Sequence, residues 1–143
     1  MKVSQLSVFI ENKSGRLADV TRTLADSGIN VRALSIADTI DYGLLRLIVN
    51  DPAQAKSVLT KAGFTVALTE VLAIEVPDKP GGLAGIIDAF AECGLNIEYM
   101  YAFVGASGEN AIVIFRVEKV DEAITSLQKK GVKILDGETL YAI

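Results

Sequence analysis

Apolar residues in the first part of the chain change their spacing in a fixed order. Positions 6, 8 and 10 are apolar at alternate positions, which predicts a β-strand, and Phe9 adds an apolar side chain to its opposite face. Residues 17–25 then place apolar side chains at helical spacing, and Gly28 follows where many helices end on a left-handed residue. A strand followed by an amphipathic helix is therefore predicted.

The next residues predict two more strands, a second helix and a fourth strand. Asp51 and Pro52 are favourable residues for the start of a helix, and Gly63 is favourable for its end. The order β-α-β-β-α-β is that of ferredoxin-like folds, in which two helices cover one face of a four-stranded antiparallel sheet. The predicted strands are 31–37, 44–49 and 64–68, with a turn at 38–43.

The second half of the chain repeats the first. The segment LADSGINV at 24–31 aligns with FAECGLNI at 90–97, and NKSGRLA at 12–18 aligns with DKPGGLA at 78–84, both at an offset of 66 residues. Residues 55–63 align with 123–131 at an offset of 68, so the copies differ slightly in loop length. Agreement of several segments at nearly one offset predicts a duplicated structural unit.

We therefore predict an α+β fold of two ferredoxin-like units in tandem, residues 1–70 and 71–143. Residues 64–76 are almost continuously β-favouring, so the last strand of the first unit is expected to continue into the second unit. The second unit should contain strands at 71–76, 97–104, 111–117 and 133–135, helices at 83–92 and 121–130, and a final extended piece near Leu140.

The charge balance excludes some classes of partner. Lys and Arg total 14 against 18 Asp and Glu, a net charge of −4, which lacks the positive field that attracts phosphate backbones or anionic membranes. The N-terminal residues do not resemble a signal peptide, and no apolar run approaches the roughly 20 residues that span a bilayer. We expect a cytoplasmic protein that binds neither nucleic acid nor membrane.

Reactive side chains are few. The chain has no His and a single Cys, which excludes intrachain disulfides, Cys/His zinc sites and His-based catalysis. No Lys, Arg or His adjoins Cys93 in the sequence, so we expect a small buried hydrophobic residue there. We expect no catalytic residue, no metal site and no cofactor.

Two segments resemble ACT domains, a family of regulatory domains. SVFIENKSGRLA at 7–18, followed by SGINV at 27–31, is also similar to the small regulatory subunit of acetohydroxyacid synthase. VPDKPGGLA at 76–84, followed by CGLNI at 93–97, resembles the general ACT pattern. The resemblance implies a regulatory protein that binds amino acids at interfaces between domains, through the loop after the first strand and the Asn that opens the second strand.

The residues of these loops suit the zwitterion of an amino acid. Backbone N–H groups at a helix start attract a carboxylate, and glycines let a ligand approach the backbone. An oxygen of Asn12 or Asp78 could accept hydrogen bonds from an ammonium group, and Asn side chains offer both a donor and an acceptor. The candidate ligand-binding residues are Asn12, Ser14, Gly15, Arg16, Leu17 and Asn30 in the first unit and Asp78, Gly81, Gly82, Leu83 and Asn96 in the second.

A purely structural interpretation of the same residues stays open. The glycines could only form turns, Asn12 and Asp78 could cap the helices, and Asn30 and Asn96 could hold neighbouring loops. The structural interpretation predicts that these residues contact the protein's own backbone, whereas the ligand-binding interpretation predicts that they face a site open to a ligand.

Apolar surfaces indicate self-association. Residues 44–49 and 111–117 are apolar on both faces, yet two helices cover only one face of each sheet, so a homodimer or larger assembly is expected. Tyr99, Tyr101 and Phe103 share one face of a strand, which favours packing between domains or subunits over a ligand pocket.

Three classes of function remain. The first is a non-catalytic regulatory protein that binds an amino acid. The alternative is a regulatory subunit that controls a separate biosynthetic enzyme by direct contact. An enzyme or an RNA-binding module on the same fold ranks last, because the strands that RNA-recognition sheets use offer only Phe9 and Arg46 here, and Arg16 is the one candidate for an acylphosphatase-like loop.

Overall fold

The computed structural model describes residues 1–38, 42–103 and 110–142. The β-α-β-β-α-β order occurs twice in it, so the predicted ferredoxin-like fold is confirmed. Its strands are β1 (Val3–Glu11), β2 (Val31–Asp38), β3 (Tyr42–Val49), β4 (Thr65–Pro77), β5 (Ile97–Ala102), β6 (Asn110–Val117) and β7 (Ile134–Leu135). Its helices are α1 (Arg16–Asp26), α2 (Pro52–Lys61), α3 (Gly82–Glu92), α4 (Val120–Lys129) and α5 (Gly137–Ala142).

The chain divides into two compact units. The first unit is Ser4–Thr69, and the second is Met1–Val3 together with Glu70–Ile143. The N-terminal residues join the second unit through Lys2, whose Nζ lies 3.4 Å from a carboxylate oxygen of both Glu70 and Asp121. Strand β4 is unbroken across the division, as the continuous β-favouring sequence predicted.

In the first unit, strands β2, β3 and β1 lie side by side and pair antiparallel. The Oγ1 of Thr69, near the middle of β4, lies 3.4 Å from the Oγ of Ser7 on β1. Helices α1 and α2 bury their apolar sides against one face of this sheet. The core consists of Leu6, Val8, Ile10, Val20, Leu24, Ile29, Leu45, Leu47, Val49, Ala55, Leu59 and Phe64.

In the second unit, the strand order is β7-β4-β6-β5 with every pair antiparallel, which is the complete ferredoxin-like order. The rings of Phe90 and Phe115 pack with their centroids 4.8 Å apart at the centre of its core. The core consists of Leu72, Ile74, Val76, Ala89, Phe90, Phe115, Val117, Val120, Ala123, Leu127 and Ile134.

Local sequence explains the start of α2. The carboxylate of Asp51 accepts a hydrogen bond from Gln54 N at 3.2 Å, and Pro52 occupies the first helical position, where no N–H is needed. The predicted start of this helix is confirmed.

The prediction of an extended piece near Leu140 is wrong, because residues 137–142 form helix α5. Asp136 Oδ1 accepts a hydrogen bond from Thr139 N at 2.7 Å and caps this helix, while Leu140 is fully buried. The short apolar pattern hid an Asp cap followed by one helical turn.

Three smaller predictions also need correction. Cys93 is half-buried rather than buried. In α1, Val20 and Leu24 face the core as expected, but Leu17 and Ala25 are exposed. Of the predicted turn at 38–43, Asp38 and residues 42–43 belong to strands and 39–41 lie outside the described residues, as does position 104 of the predicted strand 97–104.

Some apolar residues on the sheet faces opposite the helices are buried, although Phe9 and Tyr42 on the same face of the first unit are exposed. Ala33 and Ile48 in the first unit, and Ala73 and Ile114 in the second, have no exposed surface. These four residues therefore do not by themselves require a second copy of the chain. Of the helices described, none is long and apolar enough to cross a membrane.

Candidate ligand-binding site

The loop between β1 and α1 is a compact turn closed by its own main chain. Lys13 N donates to Glu11 O at 2.9 Å, and Arg16 N approaches Lys13 O at 3.4 Å. Gly15 stands immediately before the helix with φ 91°, a left-handed conformation that a glycine adopts without strain. The turn interpretation of Gly15 is therefore sufficient to explain the residue, whether or not a ligand approaches it.

The loop between β4 and α3 repeats this geometry in the second unit. Lys79 N donates to Pro77 O at 2.9 Å, Gly82 N donates to Lys79 O at 3.0 Å, and Gly81 has φ 86°. Gly82 is buried, and a Cβ at this position would overlap the carbonyl oxygen of Pro77. Close packing against this carbonyl therefore explains why position 82 is glycine.

Neither Asn12 nor Asp78 occupies the position immediately before a helix. Helices α1 and α3 both begin after glycine without a side-chain cap among the described residues. Asn12 and Asp78 are exposed, as is Ser14. A glycine therefore holds the position before each helix, and the first helical N–H groups, those of Arg16 and Gly82, are directed at the carbonyl oxygens of Lys13 and Lys79.

The Asn residues that open β2 and β5 are exposed. The main chain of Asn30 is held by Asn50, which accepts from Asn30 N through Oδ1 at 3.0 Å and donates its own N–H to Asn30 O at 3.2 Å. The side chain that fixes this corner is therefore that of Asn50. Asn96 lines a cavity of about 280 Å³ with Cys93, Gly94, Leu95, Glu98, Val117, Glu118, Lys119 and Glu122.

Within one unit, the loop and the Asn lie at opposite ends of the sheet. Strands β1 and β2 both pair antiparallel with β3 and so run in the same direction. Glu11, at the loop end, pairs with Tyr42, whereas Val31, next to Asn30, pairs with Val49. The seven residue steps from Tyr42 to Val49 along β3 separate the two ends by roughly 23 Å at about 3.3 Å per residue. A single unit therefore does not bring its two groups of candidate residues together.

The family model described as an ACT domain pair matches residues 1–143, the whole chain. The chain belongs to the ACT family. Its two ferredoxin-like units are thus ACT units, and the predicted resemblance is confirmed. Proteins built from ACT domains are regulatory and typically bind amino acids.

Solved structures agree with this assignment. A crystal structure of a Bacteroides thetaiotaomicron protein is 42% identical, with a TM-score of 0.94, and the match covers 100% of this chain and 98% of that one. The regulatory subunit of aspartate kinase from Thermus thermophilus, in a ligand-free form, is 21% identical with a TM-score of 0.63 and 87% of each chain covered. The corresponding subunit from Thermus flavus is 21% identical, with a TM-score of 0.60, and 88% of this chain and 90% of that chain are covered. At this identity the two aspartate kinase subunits support the fold alone, and no curated protein matches the chain.

Apolar residues recur at the same exposed places in both ACT units. Leu17 and Leu83, each in the first turn after the loop, are 43% and 39% exposed. Leu34 on β2 and Met100 on β5 occupy equivalent positions and are 47% and 43% exposed. In its own unit, each of these two strands pairs with one neighbour only. Both units thus present an edge strand with an exposed apolar side chain.

Sequence reasoning missed a cavity in the first ACT unit. Arg16 was a candidate as a loop residue, but its guanidinium lies over the ring of Phe64, with Cζ 4.7 Å from the ring centroid. The two residues are 48 positions apart, so no local pattern signals the contact.

Tyr99 and Tyr101 do stack as neighbours on one face of β5, with ring centroids 6.5 Å apart. Among the residues that the structure describes, no group of three or more His, Cys, Asp or Glu could hold a metal ion.

Proposed function

We propose that this ACT protein is a non-catalytic regulator that binds an amino acid between two ACT units, using the loop of one unit and the Asn of another. The observation that carries the proposal is the separation of these two groups within each unit. An α-amino acid is far shorter than the length of β3, so one ligand can contact both groups only if two units contribute.

Pairing of edge strands supplies a suitable geometry. If β2 or β5 pairs antiparallel with an edge strand of another copy, the Asn that opens one strand lies at the end where the other unit has its loop. The exposed Leu34 and Met100 on these strands would gain burial in such an arrangement. We therefore expect a homodimer or larger assembly joined through edge strands.

The loop chemistry matches a zwitterion at both ends. The first turns of α1 and α3 suit the α-carboxylate, because backbone N–H groups at a helix start and the helix dipole both attract an anion. Asn12 or Asp78 would accept hydrogen bonds from the ammonium group. Asp78 carries a charge that Asn12 lacks, while Pro80 removes a backbone donor that Ser14 keeps. The two loops should consequently bind with different affinities.

Isothermal titration of wild type, Asn30→Ala and Asn96→Ala tests this site. The ligand would first be found by a thermal-shift screen of the amino acids, since a ligand at 100 times its Kd stabilises the native state by about 2.7 kcal/mol. Loss of one hydrogen bond to a charged group should weaken binding roughly tenfold or more. Thr125→Ala, on an exposed face of α4, serves as a control that should bind like wild type.

Unchanged affinity in both Asn variants would mean that these residues only shape their loops. Light scattering that shows a monomer at micromolar concentration would refute the part of the proposal that requires a second copy.

Control of a separate enzyme is the second candidate function. The structural neighbours include proteins described as regulatory subunits of aspartate kinase, which favours a role of this kind without naming a partner. A stable complex with a larger enzyme, recovered from cell extract by the tagged protein, would support it. Catalysis by the chain itself is not expected, and reproducible acyl phosphate hydrolysis that Arg16→Ala abolishes would overturn that view.

A further inference from the structure

A cavity of about 410 Å³ opens where β1 ends and α1 begins in the first ACT unit. Its volume falls within the roughly 300–1,000 Å³ typical of small-molecule sites. Charged, aromatic and aliphatic side chains share its wall. The lining residues are Phe9, Ile10, Glu11, Arg16, Tyr42, Gly63, Phe64 and Thr65.

Arg16 is the cationic group of this cavity, and a rigid platform holds it in place. Phe64, whose ring lies beneath the guanidinium, is only 7% exposed and belongs to the core of the unit. Nη1 of Arg16 lies 3.5 Å from an oxygen of Asp19, too long for a strong charged hydrogen bond. Nε is buried and has no hydrogen-bond partner among the described residues. Because buried donors are normally paired, an acceptor is missing at this point.

The acidic side chain of the cavity is already neutralised. Glu11 Oε2 lies 2.9 Å from Lys13 Nζ, and this hydrogen bond and charge lower the pKa of Glu11, so the carboxylate is ionised and paired at neutral pH. Glu11 consequently exerts little net pull on an incoming ammonium group. The guanidinium of Arg16, by contrast, has only the 3.5 Å ion pair with Asp19 and keeps a buried Nε without a hydrogen-bond partner among the described residues.

Two aromatic side chains form an apolar wall beside these charges. Phe9 is 53% exposed and Tyr42 is 60% exposed. Tyr42 pairs with Glu11 across β1 and β3, and Phe9 lies two residues earlier on β1, so both side chains lie on the same face of the sheet. Exposed aromatic rings next to a cavity offer surface that an apolar ligand can cover.

The second ACT unit has the same backbone here but not the cavity wall. Arg16 corresponds to Gly82, where the nearby Pro77 carbonyl leaves no room for a side chain, and Phe64 corresponds to Val132. Phe9 and Thr65 correspond to Glu75 and Lys133, which form an ion pair at 2.6 Å. The cavity wall therefore depends on side chains particular to the first unit and is not a by-product of the fold.

We propose that this cavity binds a small carboxylic acid that has an apolar or aromatic body and no amino group. The carboxylate occupies the place of the missing acceptor at Arg16, and the body lies against Phe9 and Tyr42. An ammonium group would lose its hydration without gaining an unpaired anion, which disfavours an amino acid here. This site lies within one unit, so it does not rest on the proposed interfacial function.

Titration calorimetry with 3-phenylpropanoate tests the proposal on the full chain. We expect saturable binding, with weaker binding of 3-phenylpropan-1-ol, which lacks the carboxylate, of propanoate, which lacks the ring, and of phenylalanine, which adds the ammonium group. Arg16→Gln should weaken binding roughly tenfold to a hundredfold, the value of a hydrogen bond to a charged group. Arg22→Gln changes an exposed arginine of the same helix that does not line the cavity, and should bind like wild type.

A second variant guards against a folding defect in Arg16→Gln. Tyr42→Ser removes an exposed ring and should weaken binding while the thermal unfolding temperature stays close to that of wild type. Absence of saturable binding at millimolar 3-phenylpropanoate, or equal binding by Arg16→Gln, would overturn the site. Tighter binding of phenylalanine would overturn the ligand class. Asn30→Ala and Asn96→Ala should leave this binding intact, which separates its failure from that of the interfacial site.

Discussion

One added methyl group at Gly82 and one at Gly85 should shift the stability of the second ACT unit in opposite directions. Both residues lie in α3, and both variants replace Gly by Ala. A Cβ on Gly82 would overlap the main-chain oxygen of Pro77, whereas a Cβ on Gly85 would meet nothing within 4 Å. The same chemical change therefore creates a clash at one position and fills open space at the other.

The magnitudes follow from what surrounds each position. The Pro77 oxygen accepts a hydrogen bond from Lys79 N, so it can move only if the turn moves with it. Overpacking of this kind costs about 1–3 kcal/mol, which we expect as the loss for Gly82→Ala. Gly85 lies inside the helix, where Ala is favoured over Gly by about 0.8–1 kcal/mol, so Gly85→Ala should gain up to that amount.

Urea unfolding followed by far-ultraviolet circular dichroism measures both changes. Because the two residues belong to one helix, the midpoints of the variants should move to opposite sides of wild type with similar slopes. A Gly82→Ala variant as stable as wild type would show that the overlap with Pro77 is relieved without cost. Loss of stability in Gly85→Ala would refute the assumption that helix propensity decides the outcome there.

Two further predictions concern a helix cap and an ion pair. Asp51→Ala removes the cap of α2 and should lower the free energy of unfolding, measured in urea, by about 1 kcal/mol. Lys119 holds the equivalent position before α4, where no side-chain cap is formed among the described residues. Lys119→Asp should therefore raise the free energy of unfolding by about 0.5–1 kcal/mol. Equal stability of all three proteins would mean that these caps do not limit unfolding. The hydrogen bond from Lys133 lowers the pKa of Glu75 in the folded state, so this ionised carboxylate stabilises the fold above about pH 4.5 and its contribution is lost as the pH falls through the lower folded pKa. Glu75→Gln should therefore be less stable than wild type at pH 7 and approach it as the pH falls below the folded pKa of Glu75, and a difference that stays constant with pH would contradict the assignment.

Much of the fold could be predicted because its determinants are local and repeated. Alternating and helical spacing located the strands and helices, and Asp51 with Pro52 marked a helix start that the structure confirms. Helix α5 was missed because its cap, Asp136, precedes a segment too short to show helical spacing. The exposure of Leu17 was also missed, since spacing alone does not show how far a helix extends past the sheet it covers.

The candidate site was harder to predict because it depends on direction and distance. The separation of the loop from Asn30 follows from the common direction of β1 and β2, which the predicted strand order already implied. By contrast, the contact of Arg16 with Phe64 requires the packing of α1 against the turn after α2, and no sequence pattern encodes it. Glu75 and Lys133 likewise meet only because β4 and the segment before β7 are neighbours.

The first turn of α1 would serve both proposed sites, and this shared turn predicts that they are coupled. The interfacial site would use backbone N–H groups at the start of α1, while the cavity uses the side chain of Arg16, the first residue of the same helix. A carboxylate on Arg16 places a negative charge close to those N–H groups, so it should disfavour a second carboxylate there. Coupling between two binding sites is reciprocal, and the affinity for the amino acid should fall by the same factor as that for 3-phenylpropanoate when the other ligand is present. Titration of each ligand with and without the other measures both factors, and Arg16→Gln should remove the coupling. Affinities in wild type that do not change when the other ligand is present would show that the two ligands do not act on one shared turn.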